Sequence, residues 1–96
     1  DPSYPSAFVS DGIIMLTLWK AQTNEPIQFN RKSNIGLHHF ALAVESFERL
    51  NEIYNSILET SYKAEFAPEP VREGSAAKHF ILSGPSELRI EFIFPG

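Results

Sequence analysis

Residues 46 to 58, SFERLNEIYNSIL, constrain the fold of this chain more than any other stretch. Phe47, Leu50, Ile53, Tyr54, Ile57 and Leu58 recur at helical spacing, while Glu48, Arg49, Glu52, Asn55 and Glu59 fall on the other side. Ser46 stands where a hydroxyl can accept from the free amides of the first turn, so it reads as the N-cap. A helix with one apolar stripe needs a surface to lie on. The runs on either side of it, rich in β-branched and aromatic residues, predict that this surface is a sheet.

Four runs read as its strands: GLHHFALAV (36 to 44), SYKAEFA (61 to 67, a short edge strand), AAKHFIL (76 to 82) and ELRIEFIF (87 to 94). PEPVREGS (68 to 75), with two prolines and a glycine, reads as a loop, and SGPS (83 to 86) as a turn. From Gly36 the order is therefore strand, helix, strand, strand, strand. Upstream, AFVSDGIIMLTLW (7 to 19) is two apolar runs broken by Asp11-Gly12, a dipeptide suited to the positive φ angles of a tight hairpin. The polar stretch KAQTNEPIQFNRKSN (20 to 34) is long for a loop inside a compact domain and reads as a linker between two units. The expected fold class is α+β: residues 36 to 96 form a βαβββ module, and residues 1 to 35 a preceding β-hairpin and linker.

Composition narrows the function classes. A chain of 96 residues has room for one modest core. Its 43% hydrophobic and 21% charged content is that of a folded chain rather than a disordered one. No apolar run approaches the roughly 18 residues of a membrane span and no signal peptide is evident, so a cytoplasmic, non-membrane protein is expected. The opening DPSYPSAFV has no methionine and runs straight into strand-like sequence, which reads as a chain whose beginning lies elsewhere. With no cysteine, thiolate metal sites and cysteine nucleophiles are excluded. A net charge of −4 argues against nucleic acid as partner. No phosphate-cradling glycine loop, zinc-finger spacing or serine-nucleophile motif is present. A small molecule or a protein is the expected partner.

Strand parity then selects the polar residues of interest. In 36 to 44, Phe40, Leu42 and Val44 share one face and must cover the helix, so His39, Ala41 and Ala43 point away from it. In the last strand Leu88, Ile90, Phe92 and Phe94 share the helix-facing parity, which leaves Arg89, Glu91 and Ile93 on the open side. Glu91 sits in mid-strand between Ile90 and Phe92, an odd place for a carboxylate without a task. If the first and last strands are close in one sheet, His39 and Glu91 converge on its open face and suit a divalent ion such as Zn, Fe, Mn or Ni. The plainer alternatives are a histidine satisfied by a backbone carbonyl and a glutamate paired with Arg89. His79 shares the open-face parity with Ile81 and is a candidate ligand-contacting residue. Arg89 is a candidate for holding an anionic substrate. Met15 and Trp19 lie on the non-core parity of the hairpin and would wall a pocket or pack in a dimer. His38 has helix-facing parity and is expected to be structural.

The strand opening GLHHFALAV, the amphipathic helix, the proline-bearing loop and the closing GPSELRIEFIFPG together resemble the second βαβββ module of the vicinal oxygen chelate superfamily, which includes glyoxalase I, bleomycin-resistance proteins and extradiol dioxygenases. The resemblance covers residues 36 to 96. It implies that two modules pair into an incomplete barrel whose concave sheet holds a divalent ion. It places His39 on the first-strand ligand position and Glu91 on the last-strand position. By the same resemblance the hairpin corresponds to the last two strands of a first module. Thr17 stands where glyoxalase-type members carry a glutamate ligand, whereas the ligand set of the dioxygenase type needs nothing at that position.

Pairing of modules is also a physical expectation, because a lone module leaves Ala41, Ile81 and Ile93 on an open sheet face. The cover would be a missing N-terminal segment or a second copy in a homodimer. The leading functional expectation is a small molecule bound in the cleft between paired modules, with a divalent ion at His39 and Glu91 serving lyase, isomerase or dioxygenase chemistry. The alternatives are a metal-free, ligand-sequestering protein of the bleomycin-resistance type and a purely structural interaction module.

Overall fold

A computed structural model describes residues 5–96. Two strands, β1 (Ser6–Ser10) and β2 (Met15–Trp19), pair antiparallel as a separate two-stranded sheet. After the linker come β3 (Phe40–Ala43), the helix α1 (Phe47–Leu58), β4 (Lys63–Ala64), β5 (Glu69–Pro70), β6 (Lys78–Ser83) and β7 (Arg89–Phe94). The second sheet runs β3-β7-β6-β4, with β5 pairing to β6. The β3–β7 pair is parallel, and the other pairs of this sheet are antiparallel. The fold is α+β, a hairpin followed by βαβββ-like elements.

The helix forms where the spacing predicts. Ser46 accepts the Arg49 amide at 3.0 Å, and acidic Glu48 complements the positive end of the first turn. Leu50 and Phe80 are fully buried and Leu82 nearly so, with Val44, Ile53, Tyr54, Ile57, Ile90 and Phe92 packed around them. The Phe80 ring meets Tyr54 edge-on at 5.5 Å and stacks on Phe92 at 5.4 Å. Burial of such side chains stabilises by roughly 1.5–3 kcal/mol each. Even-numbered residues of β7 thus pack on the core beneath the helix, as parity requires, joined by Val44 just past β3. Phe47 and Leu58, expected on the buried stripe, are exposed, because the sheet underlies only the middle turns of α1.

Other expectations are corrected. The first strand begins at Phe40 rather than Gly36, and His38 lies before it on an exposed segment, so strand parity does not govern that residue. The proline loop contains β5, which survives its proline because an edge strand can leave one backbone position unpaired. The edge strand expected over 61 to 67 shrinks to two residues. The hairpin turn is wider than a two-residue turn. Asp11 Oδ1 accepts both the Ile13 and the Ile14 amides at 2.9 Å, and Gly12 takes φ +95°, which glycine alone adopts without strain. Between β7 and β6, Ser86 and Glu87 both adopt positive φ and turn the chain tightly back toward Leu88.

Candidate functional site

The open face of the second sheet is built by the odd-numbered residues. Register puts Glu91 of β7 between Ala41 of β3 and Ile81 of β6, two small or apolar neighbours that leave its carboxylate free to reach sideways. It reaches the diagonal positions on both sides, which long side chains can span. On one side His79 Nδ1 lies 2.5 Å from Glu91 Oε2, and on the other His39 Nε2 lies 3.4 Å from Oε1. Glu91 and His79 are about six-sevenths buried, and His39 is about one-third exposed. The Phe66 ring packs on His79 with centroids 5.1 Å apart and holds that imidazole in place.

A second group of contacts adjoins the first. Arg89 forms a two-point ion pair with Glu65, Nε to Oε2 at 2.7 Å and Nη2 to Oε1 at 2.8 Å. This hydrogen bonding holds the Glu65 carboxyl below its ordinary value and raises the Arg89 guanidinium above its own. Arg89 Nη1 also lies 3.0 Å from His38 Nδ1, and His38 Nδ1 lies 2.7 Å from His39 Nδ1. His38 is held below the ordinary histidine value, first by loss of hydration and then by the positive charge of Arg89.

A guanidinium only donates, and Arg89 Nη1 lies 3.0 Å from His38 Nδ1 and 3.3 Å from its Nε2, close to both ring nitrogens. One proton is shared between His38 Nδ1 and His39 Nδ1, 2.7 Å apart. With that proton on His39 Nδ1, the lone pair of the neutral ring is on Nε2, the atom that faces Glu91 Oε1. In that tautomer the two acceptors, 3.4 Å apart, have room for a cation between them; in the other, His39 Nε2–H faces the carboxylate as a donor. Two ligands at about 2.0–2.1 Å from a tetrahedral ion stand roughly 3.3–3.4 Å apart, so the pair fits a divalent ion as two of its donors. Among the described residues no group of three or more His, Cys, Asp or Glu side chains is arranged to hold an ion. His79 does not complete such a group, because its Nδ1 is engaged with the second oxygen of Glu91.

The structure therefore brings His39, Glu91 and His79 together, with Arg89 beside them on the same face. It places Met15 and Trp19 elsewhere. Met15 is 61% exposed on the hairpin, and Trp19 lines a cavity of about 480 Å³ with the linker residues Pro26, Ile27 and Phe29. Sequence reasoning misses the His38–His39 contact and the Glu65–Arg89 pair. The first depends on an irregular backbone, and the second joins residues 24 positions apart.

The geometry matches a known architecture. The chain is similar to the crystal structure of a glyoxalase/bleomycin resistance protein/dioxygenase from Alicyclobacillus acidocaldarius, with a TM-score of 0.58 and 16% identity over 82% of this chain. The likeness shows the fold alone, a hairpin followed by βαβββ-like elements. The chain spans 59% of the length of that protein. No family model and no curated protein matches the sequence. Among the described residues, no helix is long and apolar enough to cross a membrane.

Proposed function

We propose that this chain supplies one wall of a cleft between paired modules that binds a small molecule, and that His39 and Glu91 are two of the donors for a divalent ion in that cleft. The observation that carries the reading is the facing pair of His39 Nε2 and Glu91 Oε1, a ring nitrogen and a carboxylate oxygen at ligand–ligand separation on the open face. When bound, such an ion supplies Lewis-acid stabilisation of charge on a substrate oxygen. The chain's own residues do the rest. His38 fixes the His39 tautomer through the shared Nδ1 proton, and His79 fixes the orientation of the Glu91 carboxylate. Arg89 meets the acidic part of a ligand. Met15 and Trp19 contact a ligand only where a paired module closes over the hairpin. The remaining donors come from the paired module, either an N-terminal segment of the same protein or a second copy.

A second reading is a metal-free binding protein of the bleomycin-resistance type. Its support is that His79 already engages Glu91, so a proton on His39 would satisfy the cluster without an ion. Titration of the full chain with Zn and Mn against a chelating dye separates the two. The first reading predicts that His39→Ala and Glu91→Gln abolish binding and that His79→Ala weakens it about 10- to 100-fold, as loss of a supporting hydrogen bond does. Equal affinity in all four proteins would overturn it.

A further inference from the structure

A second cavity, of about 450 Å³, opens beside Arg89 where the linker passes the end of the sheet. Its lining includes Arg31, Lys32 and Arg89, with Ser83 as a polar wall, Phe29 as an apolar one and Glu87 as the opposing carboxylate. Three of the eight Lys and Arg of an acidic chain thus face one cavity. Arg89 is engaged by Glu65, but the described residues offer no ion-pair partner to Arg31 or Lys32 within 4 Å. Glu87 is 3.5 Å from the Ser83 hydroxyl and makes no ion pair with either cation.

The turn that carries these cations is held in shape. The Asn30 carbonyl accepts the Ser33 and Asn34 amides, Asn30 Oδ1 accepts the Lys32 amide at 2.9 Å, and Asn34 Oδ1 accepts the Asn30 amide at 2.6 Å. Phe29 packs so closely on Gly36 that a Cβ there would stand 2.7 Å from its ring. Arg31 and Lys32 are therefore presented toward Arg89 by a built turn rather than by a free tail.

We infer that this cavity binds the oxyanion end, carboxylate or phosphoryl, of a small molecule whose reactive oxygens lie at His39 and Glu91. The inference rests on the cleft reading above and names its substrate class. Arg89 and Glu91 are two residues apart on one strand face, about 7 Å. The ligand thus carries its anionic group at least that far from its reactive end.

The probes are inorganic phosphate and acetate, added to the full, metal-free chain at constant ionic strength and followed by amide chemical shifts. Saturable shifts confined to residues 30 to 34 and 83 to 89 are expected. The Arg31→Ala/Lys32→Ala double variant should bind at least about tenfold more weakly, since two charge-assisted contacts are lost. Lys20→Ala and Lys63→Ala, outside the cavity, should leave binding unchanged. Saturation by phosphate alone assigns a phosphoryl end and saturation by acetate alone a carboxylate end, and either supports the site. Non-saturating shifts spread over all the lysines, or an unchanged affinity in the double variant, would overturn it. Glu91→Gln keeps the oxyanion site while losing the proposed ion, so the two readings fail separately.

Discussion

The hairpin and the βαβββ unit are written in the same alternating pattern, yet only one of them builds a core. In the unit, Leu50, Phe80 and Leu82 are sealed between helix and sheet. In the hairpin, Phe8, Val9, Met15, Leu18 and Trp19 are all exposed, although five register pairs join its strands. Ile13 and Ile14 of its turn share the lining of an open cavity of about 760 Å³ with Ala41, Val44 and Phe92. Backbone pairing alone holds a two-stranded ribbon only marginally. What makes a strand stable is the element covering one of its faces, and among the described residues no element covers the hairpin.

The sharpest way to break this comparison is to truncate a large side chain in each region. Phe80→Ala should cost about 3–5 kcal/mol in urea unfolding, whereas Phe8→Ala should stay within about 0.5 kcal/mol. A comparable loss at Phe8 would mean that the hairpin is buried against a partner in solution. Amide exchange sharpens the same contrast. Amides of β6 and β7 should exchange only through global unfolding, and those of β1 and β2 through local opening.

A smaller effect lies at the open face. Glu65→Gln should destabilise by about 1 kcal/mol near neutral pH, since the pair is partly solvated. Because the folded-state value of Glu65 is depressed, its contribution is fully present above the unfolded value, roughly pH 5 and upward, and is lost as pH falls through the folded value. Wild type and variant should therefore converge in stability in acid. Ser46→Ala, which removes one cap bond from α1, should cost at most a similar amount, about 0.5–1 kcal/mol. Helicity measured by circular dichroism during urea unfolding reads this directly.

The difference between the regions also explains what the sequence reveals. The helix, its cap and the faces of β3 and β7 are set by local spacing, and the side taken by Glu91 follows from parity, whereas His39 stands one residue before β3 and meets Glu91 from there. His38 escapes parity because the strand starts two residues later, and β5 hides in a proline-rich loop because its two residues, Glu69 and Pro70, carry no apolar alternation. The engagement of Glu91 by His79 depends on a diagonal offset between β6 and β7, which needs the register and not only the pattern. The hairpin strands are legible from the same alternation, but what covers them is not written in the hairpin itself.

Elemental analysis of the full chain, reconstituted with Zn, Fe, Mn or Ni and freed of excess ion, is the most direct measurement of the central claim. The account predicts about one ion retained per pair of modules in the wild type and essentially none in Glu91→Gln. A wild-type protein that retains none of the four, or a Glu91→Gln variant that retains as much, would contradict it.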